Sequence, residues 1–282
     1  MSSPLLAMED VHLRRGDATI VAGVNWQVKP HEHWALLGPN GSGKTSLIMM
    51  AVGYVPASRG RIHLIEDYIS RIVLRDVRRR VGVVSSALSD AMLTRHARTS
   101  GLEVAASGRF ASLGLYERPS AEDLARAEGF LTRLGGARLL ALPFCTMSTG
   151  ERQICLIARC YVADSDLVIL DEPCAGLDIP ARETVLGALQ SACANPDSPA
   201  HILITHHPSE IVPGITHVLL MSGGRVAAQG VRGSVLTEGN LSAAYGLPLT
   251  VEHAGGRVWV RPASAPAVPE RSSRGVQRMC GR

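Results

Sequence analysis

The sequence predicts an α/β fold: a mostly parallel sheet with an antiparallel β portion and an inserted α-helical lobe. Three observations carry this reading. Short apolar strand signals alternate with helical stretches along most of the chain, as expected for a covered sheet whose strands are joined by helices. A glycine-rich segment, Gly38 to Thr45, follows an apolar strand and opens a helical stretch. From about Asp90 to Ala158 strand signals vanish, while Ala, Leu, Arg and Glu recur at helical spacing.

In chain order, the alternation of Val24, Trp26 and Val28 and the run Trp34 to Leu37 read as strands, and Lys44 to Ala51 reads as a helix. Strand signals return at Val81 to Val84, Asp166 to Leu170, His201 to Thr205 and Val218 to Met221. The helical lobe, about residues 90–158, is thus inserted into a folded domain spanning 1–250. A C-terminal extension, 251–282, follows. From Pro262 onward it is rich in Pro, Ser, Gly and Arg, and its end reads as disordered.

A chain of 282 residues suits one large domain carrying a lobe. With 46% hydrophobic and 19% charged residues it reads as a folded globular protein. No apolar run approaches the roughly eighteen residues of a membrane-spanning helix. The opening, Met1 to Asp10, lacks the pattern of a secretory signal, so a cytoplasmic location is expected. The cysteines, Cys145, Cys155, Cys160, Cys174, Cys193 and Cys280, form no CxxC pair, and their spacing matches neither a zinc motif nor a disulfide scaffold. The net charge of +4 is spread along the chain, and its tightest cluster, Arg75, Arg78, Arg79 and Arg80, reads as a solvated helix face. No nucleic-acid partner is expected.

Gly38, Pro39, Asn40, Gly41, Ser42, Gly43, Lys44 and Thr45 fit GxxxxGK[ST], with Ser46 next in line. Glycines let successive N–H groups converge on phosphate oxygens, and a helix N-terminus adds partial positive charge at the same point. Lys44 is expected to span the β- and γ-phosphates of ATP, and Thr45 to ligate Mg²⁺. The chain has just two lysines, Lys29 and Lys44, so a lysine at this position stands out against an otherwise arginine-based positive charge. The apolar run Leu167 to Leu170 ends in Asp171 and Glu172. Such a strand delivers its last residues to the ligand-binding edge of an open α/β sheet. Asp171 can then hold Mg²⁺ through water, and Glu172 can deprotonate the attacking water.

Over residues 5–250 these features, joined by Met147-Ser148-Thr149-Gly150-Glu151, resemble the ATP-binding cassette (ABC) family, whose signature is LSGGQ. The resemblance implies a RecA-like P-loop NTPase core. It further implies that Ser148, Thr149, Gly150 and Glu151 meet the ATP held by a partner subunit, that Asp178 belongs to a loop crossing between subunits, and that His206 is the switch histidine. Asn25-Trp26, Glu32-His33-Trp34, Val84-Ser85-Ser86 and Asp171 to Gly176 resemble a branch related to molybdenum-type ATPases.

The sequence departs from the family at Thr149, at Glu151, at Arg15, where an adenine-stacking aromatic is usual, and at Ser86, which replaces a metal-touching glutamine. Arg15 is expected to stack on adenine through its planar guanidinium, and Ser86 to reach the metal through water. The implied partners are a second copy or a paralogous ABC subunit, with a separate integral-membrane permease that would hold the chain at the inner face of the membrane. A soluble ATP-driven switch without a membrane partner is the alternative.

Overall fold

The structure, a computed structural model, describes residues 3–110, 114–115 and 118–263. In chain order it contains β1 (Leu6–Arg15), β2 (Ala18–Val28), β3 (His33–Leu37), α1 (Lys44–Ala51), β4 (Arg59–Leu64), β5 (Asp67–Tyr68), α2 (Leu74–Val77), β6 (Val81–Val84), α3 (Ser86–His96), α4 (Gly101–Ala106), α5 (Ala121–Arg133), α6 (Thr149–Val162), β7 (Leu167–Asp171), α7 (Ile179–Cys193), β8 (Ala200–Thr205), β9 (His217–Ser222), β10 (Arg225–Val231), α8 (Arg232–Val235), α9 (Glu238–Tyr245), β11 (Leu249–Ala254) and β12 (Arg257–Pro262).

Six strands form the central sheet in the order β10-β9-β3-β8-β7-β6; the pairs among β9, β3, β8, β7 and β6 are parallel, and β10 pairs antiparallel with β9. Its inner strands are apolar on both faces, as a parallel sheet covered on both sides requires. Trp34, Leu36, Ile169, Ile202, Ile204 and Leu219 pack toward α1 and toward a second, antiparallel sheet in the order β2-β1-β4-β5. Ala35, Leu37, Val168, Leu170, Leu203 and Leu220 face the other core, which includes α6, α7 and the helical lobe. That antiparallel sheet is the β portion expected from the sequence.

The lobe is built on α3, α4 and α5, with α4 and α5 packed against α6. Ser100 and Ser120 each start a helix as half of a capping box, with Glu103 and Asp123 returning to their backbones. The strandless stretch begins earlier than expected, at Ser86.

The folded chain also runs past residue 250. Leu249 and Val258 are buried, the β11–β12 hairpin packs on the turn after β8, and Arg257 pairs with Glu183 of α7 at 2.6 Å. The expected disordered end of the extension, like Cys280, lies outside the described residues from 264 on. Two members of the arginine cluster are anchored. Arg78 donates to the carbonyls of Val52 and Gly53 and lies over the Tyr54 ring, and Arg80 pairs with Asp166 and Glu66 at 2.6 Å. Among the described residues no helix is long and apolar enough to cross a membrane.

Candidate functional site

Strand register assembles the site. Leu37 pairs with Thr205, Ile204 with Asp171, and Leu170 with Val84, so β3, β8, β7 and β6 end together along one edge of the sheet. The segments leaving those ends carry Gly38, His206, Glu172 and Ser85. This is the carboxyl edge at which open α/β sheets bind ligands.

After β3 the backbone is shaped by glycine. Gly38 has φ +154°, and a Cβ there would lie 2.3 Å from the Met221 carbonyl oxygen; at Gly43, φ +95°, it would lie 2.9 Å from that of Ile20. No other residue fits either position without displacing backbone. Gly43 caps α1 with no side-chain hydrogen bond and no acidic residue follows in the first turn, so the helix N–H groups remain open to an anion.

Lys44 is buried and donates to the carbonyls of Gly38 at 2.8 Å and Pro39 at 3.1 Å. Burial lowers its pKa, while Glu172 and Asp171 oppose that shift. The Ser42 hydroxyl is buried with no partner among the described residues, a polar group that a phosphate oxygen would satisfy. Asn40, Gly41 and Thr45 are exposed, and Pro39 and Ser46 are half-buried.

Thr45, Asp171 and Ser85 line one cavity of about 680 Å³. Burial, and then the Glu172 charge, raise the Asp171 pKa, with Lys44 acting in the opposite direction. The expected Ser86 does not line this cavity. It is the exposed first residue of α3, whereas Ser85 caps that helix, its hydroxyl accepting from Leu88 N–H at 3.3 Å. The serine facing the cavity is therefore the one before. A one-residue helix boundary separates the two, and the adjoining capping serine was the only signal in the sequence.

Glu172 adopts the left-handed region, φ +48°, an uncommon conformation for a residue with a side chain. Its N–H donates to the Ile204 carbonyl at 3.0 Å, and its Oε1 lies 3.2 Å from His206 Nδ1. The two side chains line a pocket with Gly176 and Thr205. Behind them the Tyr245 hydroxyl donates to the His206 carbonyl at 2.8 Å, a contact across 39 residues that sequence reading missed. Asp178 caps α7, accepting from Ala181 N–H at 2.9 Å.

The remaining expected residues lie elsewhere. Ser148 and Thr149 are exposed at the start of α6 and line neither pocket, and Gly150 is buried, its missing Cβ leaving room for Ala181 of α7. Glu151 is committed locally: its carboxylate accepts from Ser148 N–H at 2.7 Å and pairs with Arg138 at 2.5 Å. Burial, the largest single influence, raises its pKa, but the backbone and hydroxyl of Ser148 and then the Arg138 partnership together lower it. Arg15 is exposed at the end of β1, paired in register with Ala18, and its side chain makes no hydrogen bond or ion pair among the described residues.

Residues 21–175 match the family model described as ABC transporter. YlmA of Bacillus subtilis, an ABC transporter ATP-binding protein, is 36% identical over 88% of this chain and 93% of its own length. The molybdenum import ATP-binding protein ModC of Photorhabdus laumondii is 31% identical over 73% of this chain and 55% of its own. Among solved structures, CbiO1 of Clostridium perfringens, part of the ABC transporter complex CbiONQ, superposes with a TM-score of 0.72 at 25% identity, covering 86% of this chain and 94% of that one.

Proposed function

This chain belongs to the ABC transporter family as an ATP-binding and ATP-hydrolysing subunit, and we propose that it works as a pair, with itself or a paralogue, sharing two composite ATP sites. The observation that carries this reading is the exposure of Ser148 and Thr149 away from both pockets of their own chain. The Ser148–Glu151 capping box takes the N–H groups of those two residues and leaves those of Thr149 and Gly150 for a triphosphate held by a second chain to satisfy.

Within each site, the Gly38 to Lys44 loop wraps the phosphates, and Lys44 exchanges its carbonyl partners for phosphate oxygens. Thr45 and Asp171, a hydroxyl and a carboxylate in one cavity, suit the oxygen preference of Mg²⁺ and would hold it. That ion, when bound, neutralises charge on the phosphate oxygens. Glu172 takes the proton of the attacking water, and His206 fixes the orientation of its carboxylate. Arg15 lies over adenine, Asp178 crosses toward the partner, and Ser148 with the Gly150 backbone closes the other site. We further place the pair on a separate integral-membrane permease at the inner face of the membrane, as CbiO1 belongs to a transporter complex.

The deciding experiment is sedimentation of purified Glu172→Gln with ATP. A dimer that forms with ATP and disperses when Ser148→Arg is added supports the composite site. A monomer at saturating ATP overturns it. Recovery of the chain from membranes with a stoichiometric integral-membrane protein tests the permease.

A further inference from the structure

At the end of the sheet opposite the phosphate loop, residues distant in sequence converge. His33 opens β3 and His201 is the second residue of β8; the two are register partners across parallel strands, and both are buried. Their Nδ1 atoms lie 3.0 Å apart. Cys193, the last residue of α7, brings its Sγ so close that all three donor atoms lie within 4.8 Å of one another. We propose that His33, His201 and Cys193 form a binding site for a borderline or soft transition-metal ion of the Zn²⁺ class, which ties β3, β8 and α7 together.

The ligand chemistry matches that class. Two imidazoles and one thiolate select zinc-like ions over Mg²⁺ or Ca²⁺, which prefer oxygen. With bond lengths of about 2.1 Å to nitrogen and 2.3 Å to sulfur, a tetrahedral ion separates its donors by roughly 3.4–3.6 Å. The two Nδ1 atoms must therefore part by a few tenths of an ångström, and Cys193 Sγ, which lies within 4.8 Å of them, must close to that spacing, a rotation of three side chains. Beyond the donors, Tyr161 Oη lies 2.7 Å from His201 Nε2, the outer hydrogen bond that orients a metal-bound histidine. Without an ion the short Nδ1 to Nδ1 contact requires one N–H between the rings.

On binding, that proton moves to the ring's own Nε2, both Nδ1 lone pairs turn to the metal, and the Cys193 thiol releases one proton to solvent. Cys193 is only partly buried, so an ion can enter from its side. Sequence spacing hid the cluster because His33 lies 168 residues from His201. The same helix that ends at Cys193 begins at the Asp178 cap, so the ion would fix the far end of the helix that follows the loop expected to cross between subunits.

The test uses the full chain, stripped with chelator and free of nucleotide and Mg²⁺. Zn²⁺ is added, excess removed by desalting, and retained metal counted; Co²⁺ supplies an absorption spectrum that reports thiolate ligation. About one equivalent of zinc is expected for the natural chain and for Cys145→Ser, whose cysteine is exposed. Cys193→Ser should bind at least ~10-fold more weakly and lose the thiolate band, as should His33→Gln where circular dichroism shows it folded. Zinc should also raise the melting temperature of the natural chain and not that of Cys193→Ser. Failure of the natural chain to retain zinc, equal retention by Cys193→Ser, or a cobalt spectrum without the thiolate band would each overturn the site.

Discussion

Nδ1 of His206 lies 3.2 Å from Oε1 of Glu172, while the backbone of Glu172 is held in the left-handed region by its N–H bond to Ile204. The carboxylate is thereby aimed from two sides. Replacing it with the isosteric amide keeps the shape and removes the base. Glu172→Gln should bind ATP normally and lose at least ~10²-fold in turnover, the usual worth of a positioned acid/base group. Phosphate release measured beside equilibrium nucleotide binding checks this; near-normal hydrolysis would remove Glu172 from the role.

The serines at the end of β6 should behave oppositely. Ser85 lines the cavity with Thr45 and Asp171 and caps α3, whereas Ser86 is exposed. Ser86→Ala should leave Mg²⁺-dependent turnover unchanged. Ser85→Ala should lower it several-fold and cost about 1 kcal/mol of stability from the lost cap. Equal effects from both, measured by turnover and chemical denaturation, would contradict the assignment.

Tyr245 positions the histidine through a main-chain bond. Tyr245→Phe removes one hydroxyl and keeps the ring. The lost hydrogen bond, about 1 kcal/mol, corresponds to a roughly fivefold lower kcat if its full worth is felt in the transition state. KM for ATP should stay constant, because the phosphate loop is untouched. A change confined to KM would place Tyr245 outside this chain of contacts.

Arg15 has no partner to satisfy among the described residues, so removing it should leave stability unchanged. A guanidinium stacked on adenine contributes about 0.5–1 kcal/mol at an exposed site, so Arg15→Ala should weaken ATP binding about two- to fivefold. Unchanged affinity by calorimetry would end the stacking idea.

Acid should destabilise the metal-free chain through His201. Burial, and then His33, lower its pKa to about 3 in the fold, against 6.5 for a free histidine. Between those values the unfolded chain binds a proton that the native one refuses, so stability is full above about pH 6.5 and falls as pH drops toward 3. The slope contributed by this group is at most about 1.4 kcal/mol per pH unit. Urea midpoints at pH 7.5 and 5.5, in chelator, should show the decline, and His201→Gln should flatten it.

The phosphate loop, the Asp171–Glu172 pair and His206 were legible because each combines a motif with an adjacent strand. Contiguous residues carry the whole signal there. β1, β4, β5 and β10 escaped detection: they are half-polar or very short, as sheet-edge strands and their partners often are, and lack the continuous apolar run of β7. The tethering of Glu151 to Arg138, the bracing of His206 by Tyr245 and the His33–His201 pair depend on tertiary proximity, which local pattern does not encode. The β11–β12 hairpin, which runs across the boundary set at 250, gave no signal of its own, because a chain of mixed composition still closes a hairpin when a few residues, here Leu249 and Val258, reach the core.

Lys44 donates to the carbonyls of Gly38 and Pro39, two neutral oxygens of its own loop. Nucleotide entry is therefore a swap of acceptors, in which neutral oxygens give way to charged ones and the count of bonds at the ammonium need not rise. The favourable change is one of charge rather than of bond number.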